Sequence, residues 1–210
     1  MARLVLATKN PGKAVDMRHL LGDAFDLAPL PEGAADVEET GETFEANAVL
    51  KARAAAALTG LPAIGDDSGL EVDALGGAPG VRSARFAAAD LPAGAERDAV
   101  DSANNAKLLA ALAGVPPERR GARFHSVLAF VDGDTLLVAH GTCEGWVLDG
   151  PRGSGGFGYD PLFFCPELGK TFAEAPIEAK GRVSHRARAA AALAPRLAAH
   201  FEVAKPGNPR

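Results

Sequence analysis

Residues 1–22, MARLVLATKNPGKAVDMRHLLG, change period partway along. Arg3 to Ala7 is a short apolar run of the kind that forms a strand buried on both faces. From Pro11 to Leu21, Ala14, Met17, Leu20 and Leu21 recur at helical spacing. Thr8, Lys9 and Asn10 turn the chain between them, with Asn10 suited to cap the helix and Pro11 to fill its first position. A strand that turns directly into a helix is the opening of an α/β fold.

Working outward, Thr43 to about Leu58 reads as a second helix, ended by Thr59, Gly60 and Pro62. Ala63 to Asp73 reads as a strand, with Asp66 and Asp67 in a carboxylate-rich turn after its first residues. Ala87 to Ala95 reads as a loop, and Asp98 to Leu112 as a helix closed by Gly114 and two prolines. Arg123–Asp132 and Thr135–Thr142, joined through Gly133, form the clearest hairpin signal. A glycine-rich loop follows over 150–158, then a short strand from Pro161 to Phe164. A last helix starts near Ser184 and is expected to kink or restart at Pro195. Residues 204–210 read as a frayed tail, which leaves 1–203 as one domain. Early alternation of strand and helix followed by a hairpin predicts an α/β fold, with a mixed twisted sheet flanked by helices.

The chain has 210 residues, 47% of them apolar and 23% charged, enough to bury a core as one domain or as two lobes. A net charge of −5 argues against a broad nucleic-acid or anionic-membrane surface, so any phosphate contact is local. Cys143 and Cys165 lack metal-ligand spacing and read as buried thiols. The N-terminal apolar run is only a few residues long, too short for a signal peptide or a membrane span, so a cytoplasmic protein is expected.

Five constellations carry chemistry. Thr8, Asn10, Gly12 and Lys13 stand where a strand meets a helix N-terminus, whose unpaired amides and partial positive charge suit a phosphate. The pattern is not that of a P-loop, and the plain alternative is a capped helix with an exposed lysine. Glu38 and Glu39 with Asp66 and Asp67 offer the oxygen ligands that a hard divalent cation takes; the alternative is a solvated acidic loop. Asp66 and Asp67 fit that alternative less well, because they lie within apolar sequence, where unpaired charge is costly. Asn47 and Lys51 share one helix face with Phe44, and lysine is scarce here, 7 against 15 arginines. Gly153 to Asp160, GSGGFGYD, combines backbone freedom with the flat face of Phe157 and the acceptor Asp160. Finally, Lys180, Ser184, His185 and Arg186 gather donors around the start of the last helix.

In this order and spacing the motifs resemble the inosine triphosphate pyrophosphatase family, whose bacterial members are dITP/XTP, Ham1-like pyrophosphatases. The resemblance runs from LATKNPGK through EETG, TF, NA, DDSGL, GGAPG and GGFGYD to SHR. It implies two lobes around a central substrate cleft, a magnesium ion, a homodimer, and hydrolysis of non-canonical purine nucleoside triphosphates to monophosphate and pyrophosphate. It implies that Thr8, Lys9, Asn10, Pro11, Gly12 and Lys13 hold the triphosphate, and that Lys51 and Ser68 touch phosphate. Glu38 or Glu39, with Asp67, would bind the metal, Glu38 being preferred, and Asp67 would accept the proton. Phe157, Gly158, Tyr159, Asp160, Lys180, His185 and Arg186 would form the nucleoside pocket. Lys9 stands where several members have glycine.

The donors Lys180, His185 and Arg186 are expected to read a 6-oxo group, against which the 6-amino group of ATP would leave a donor unpaired. Two rival readings remain. A Maf-like pyrophosphatase would open with a SerProArgArg-type motif where AsnProGlyLys stands here. A nucleotide sensor without turnover would have no use for the full acid set.

Overall fold

The computed structural model describes residues 1–92 and 94–203, so the expected tail over 204–210 lies outside the described residues. Its strands are β1 (Ala2–Ala7), β2 (Phe25–Pro29), β3 (Ala63–Val72), β4 (Gly121–Asp132), β5 (Thr135–Val147), β6 (Phe163–Cys165) and β7 (Lys170–Thr171). Its helices are α1 (Pro11–Leu21), α2 (Phe44–Thr59), α3 (Arg97–Ala111), α4 (Ile177–Val183) and α5 (His185–Val203). The strands form one sheet in the order β2-β1-β3-β4-β5-β6-β7. β1 pairs in parallel with β2 and β3, while β6 pairs antiparallel with β5 and β7. The fold is the mixed α/β sheet flanked by helices that the alternation predicted.

Several details differ from the sequence reading. β3 does not break into a turn at its carboxylates but runs unbroken through Asp66 and Asp67 to Val72. β2, β7 and α4 carried no clear periodic signal, being at most seven residues long. The β4–β5 hairpin is longer at both ends than its alternation indicated. The stretch read as a loop over 87–95 holds a short 3-10 turn, Ala88–Asp90. α5 passes through Pro195 without restarting. Proline removes the N–H that would bond the Ala191 carbonyl, but both residues are exposed and water can take that carbonyl. Leu193 and Leu197, fully buried on either side of the proline, hold the helix to its core.

The described residues divide into two compact units, one of Met1–Asp67, Ser126–Gly141 and the described residues from His185 to Val203, the other of Ser68–His125 and Thr142–Ser184. In the first, successive β1 residues serve opposite faces, as strand geometry requires. Leu4 and Leu6 join Ile64, Met17 and Leu21 of α1, and Leu193 and Leu197 of α5. Val5 and Ala7 join Ala63 and Ala55 of α2. One side of this part of the sheet therefore carries α1 and α5, and the other carries α2. The second unit is built on Leu70, Leu108, Phe124, Phe163 and Phe172, with the Phe124 and Phe172 rings stacked 5.7 Å apart. Cys143 and Cys165 meet in this core as thiols, their sulfurs 3.7 Å apart.

No helix among the described residues is long and apolar enough to cross a membrane.

Candidate active site

The strand alternation that separates the two apolar layers also separates the two aspartates of β3. Asp66 is in step with Ile64 and lies on the α1 and α5 side; Asp67 is in step with Ala63 and lies on the α2 side. Gly65 sets the distance to α2. A Cβ there would stand 2.1 Å from the Ala48 carbonyl oxygen, so only glycine lets β3 lie this close to α2.

On the first side, Asp66 Oδ2 accepts from Arg186 Nε at 2.5 Å and Oδ1 from Lys13 Nζ at 3.3 Å. Arg186 also donates through Nη1 to Asp16 Oδ2 of α1 at 2.8 Å, and its side chain is only 1% exposed. Burial alone would raise the Asp66 pKa, but the charges of Arg186 and Lys13 outweigh it and hold the carboxyl well below the usual aspartate range. Burial lowers the pKa of Lys13 despite the opposing charge of Asp66.

On the second side, Lys51 of α2 bridges two carboxylates, at 2.7 Å to Asp67 Oδ1 and 2.5 Å to Glu39 Oε1. Asn47, one turn earlier and fully buried, donates to Asp67 Oδ2 at 3.3 Å. It also brackets Gly41, accepting from its N–H at 2.8 Å and donating to its carbonyl at 3.2 Å. That grip ties the EETG loop to α2 and brings Glu39 to Lys51. Glu38 is exposed. Burial raises the pKa of Asp67 against the lowering pull of Lys51 and Lys13, and nearby Glu39 adds to the rise. Lys51, held between two carboxylates, has its pKa raised even though burial opposes this.

The two sides meet at the backbone between them. The ammonium groups of Lys13 and Lys51 both reach the Asp66 carbonyl oxygen, at 3.3 and 3.4 Å. At the start of α1, Asn10 Oδ1 accepts from the amides of Gly12 and Lys13, and Thr8 Oγ1 accepts from Asn10 N–H. Pro11 is the first helical residue. Lys9 leaves this turn and pairs with Asp36 at 2.8 Å in the open. His185, buried, opens α5 beside Arg186, and Ser68 continues β3 after Asp67.

The second unit holds the other candidates. Asp160 Oδ2 accepts from Lys180 Nζ at 2.6 Å and from the Phe157 amide at 3.0 Å, closing the glycine-rich loop on itself. Lys180 also lies over the Phe157 and Phe172 rings, 5.0 and 5.4 Å from their centres. Tyr159 turns into the core, its hydroxyl donating to the Ser83 carbonyl. The Gly158 peptide is held by Asp101 and Asn105 of α3.

Asp16, Asp101 and Asn105 stand outside the five sequence constellations. Asp16 lies three residues after Lys13, hence on its helix face, and that spacing was the available signal. Asp101 and Asn105 share a face in the same way, in a helix that carried no other motif.

A family model described as the Ham1 family matches residues 4–196. The chain is 53% identical over 194 residues to the dITP/XTP pyrophosphatase of Yersinia pseudotuberculosis, covering 90% of this chain and 94% of the relative. It is 51% identical over 202 residues to the protein of that name from Methylococcus capsulatus, covering 94% and 96%. Among solved structures, a HAM1 protein from Coxiella burnetii superposes with a TM-score of 0.80 at 41% identity, covering 94% of this chain and 99% of the other.

Proposed function

Because the chain belongs to the Ham1 family, we propose that it hydrolyses non-canonical purine nucleoside triphosphates, namely ITP, dITP and XTP, to the monophosphate and pyrophosphate. The observation that carries this reading is the convergence of Lys13 and Lys51 on one carbonyl of β3, with Glu39 and Asp67 on Lys51. Two ammonium groups so placed suit a polyphosphate, and they stabilise the negative charge that builds up on departing pyrophosphate. Asp67 takes the proton of the water that attacks the α-phosphorus. The bond from that phosphorus to the bridging oxygen breaks, and the bridging oxygen leaves with pyrophosphate. Thr8 and Asn10 shape the turn that presents Lys13, and Ser68 is assigned to phosphate from its place in DDSGL. Phe157 to Asp160 and Lys180 serve the nucleoside, and the donors of Lys180, His185 and Arg186 select a 6-oxo base.

The residues also fit a divalent ion. Magnesium takes one or two carboxylates and completes its shell with water and phosphate oxygens. We assign it to Glu39 and Asp67, with Glu39 in place of Glu38, because these two carboxylates already face one cation. Asp66 is committed to Arg186 and Lys13. When bound, magnesium supplies charge neutralisation and a more acidic water. A homodimer and a cytoplasmic location complete the proposal, as does the action of residues 1–203 as one domain.

The test is product analysis with ITP and ATP in the presence of magnesium. ITP should yield monophosphate and pyrophosphate, with kcat/KM at least about 10²-fold above that for ATP. Equal values would overturn the base preference, and nucleotide binding without turnover would leave a sensor.

A further inference from the structure

Gly158 lies at the centre of the loop assigned above to the nucleoside, with a φ of +61° that favours glycine. Both of its polar backbone groups are gripped from α3. Its N–H donates to Asp101 Oδ2 at 2.9 Å, and its carbonyl accepts from Asn105 Nδ2 at 2.9 Å. Asp101 and Asn105 are four residues apart, on one face of the helix. α3 is itself fixed in the second unit: Asn104 is buried, accepts from Ala87 N–H at 2.7 Å and donates to the Ala84 carbonyl at 3.4 Å.

Asn105 fills its place at a cost. Its Oδ1 is buried with no hydrogen-bond partner among the described residues, a penalty that an apolar side chain would avoid. Turning the amide over would set that oxygen against the Gly158 carbonyl, one acceptor facing another. The side chain therefore fits its site as a donor to the loop and poorly as core filling. The first unit contains the same device, where Asn47 takes both polar groups of Gly41 and thereby places Glu39. A loop with glycine at 153, 155, 156 and 158 would otherwise have to be ordered by its ligand, at the expense of affinity.

We propose that Asp101 and Asn105 are positioning residues for nucleoside recognition. By fixing the Gly158 peptide they hold the Phe157 ring under Lys180 and the Asp160 carboxylate against it, and so set both affinity for the base and discrimination between bases. The proposal rests on the reading of Phe157 to Asp160 as the nucleoside loop.

Steady-state kinetics of the full chain with ITP and ATP test it. Asn105→Ala and Asp101→Ala should each raise KM for ITP about tenfold, leave kcat within about twofold, and lower the ITP-to-ATP ratio of kcat/KM. Asp101→Asn keeps an acceptor oxygen for the Gly158 N–H and should restore KM to near the wild-type value. A role confined to stability would lower the active fraction without moving KM or the ratio, and that result in both alanine variants would overturn the proposal. So would an Asp101→Asn variant as impaired as Asp101→Ala. If Asn105→Ala does not fold, the Asp101 pair decides alone. A wild-type enzyme that does not distinguish ITP from ATP would instead remove the reading on which the proposal rests.

Discussion

The two faces of β3 present the same side chain in adjacent positions and treat it in opposite ways. Asp66 is locked between Arg186 and Lys13, with Asp16 behind the arginine, in a network whose guanidinium is almost wholly out of water. Asp67 shares one lysine with Glu39 and accepts from the neutral amide of Asn47. The first carboxylate is held firmly ionised; the second is held closer to protonation. Two neighbouring acids thus sit in opposite electrostatic settings, and the roles we propose for them, one holding the scaffold and one accepting a proton, follow from environments that push pKa values apart.

The sharpest way to break this contrast is to remove each charge in turn. Asp67→Asn should lower kcat for ITP by about 10²- to 10⁴-fold, the usual worth of a general base. Its stability should hardly fall, because Lys51 keeps Glu39 and the new amide can still accept from Asn47. Asp66→Asn should do the reverse in kind and unfold more easily by about 3 kcal/mol, because Lys13 then faces a neutral partner and the buried Arg186 keeps only Asp16. Kinetics paired with urea denaturation would show both, and similar stability losses in the two variants would refute the division of roles.

A smaller effect sharpens the Asp67 side. Glu39→Gln should raise the magnesium concentration needed for half-maximal activity by at least about 10- to 100-fold, the cost of losing even a group that only supports a metal ligand. Glu38→Gln should leave it unchanged, since Glu38 is exposed. If the effects are interchanged, the metal assignment belongs to Glu38.

How far these roles could be read from the sequence follows from how local their causes are. The strand–turn–helix opening was legible because period, cap and Pro11 all fall within one short segment. The acidic pair was legible as needing partners and misplaced as structure: two aspartates resemble a turn, and cations from α1, α2 and α5 make them tolerable inside a strand. That Glu39 and not Glu38 meets Lys51 could not be read in advance, because it depends on Asn47 gripping Gly41, a tertiary contact. The partnership of Asp16 with Arg186 spans 170 residues and leaves only a weak trace, the helix face that Asp16 shares with Lys13. β2 was missed because five residues ending in proline give almost no alternation to count.

The smallest predicted effect is the pH dependence of stability in the metal-free protein, and here the two aspartates should differ in sign. Asp66 has its folded pKa depressed below the ordinary 3.8, so its contribution is fully present above that value and is lost as pH falls through the lower folded one. Asp67 has its folded pKa raised above 3.8, so its contribution is present below that value and is lost as pH rises through the higher folded one. Measured against wild type in chelator, the deficit of Asp66→Asn should therefore be largest at neutral pH and shrink in acid. Asp67→Asn should gain on wild type as pH rises from acid to neutral, since its amide stays uncharged throughout. Denaturation midpoints taken across that range for all three proteins would settle the matter: parallel curves for the two variants would mean that the faces of β3 do not impose opposite electrostatics on their aspartates.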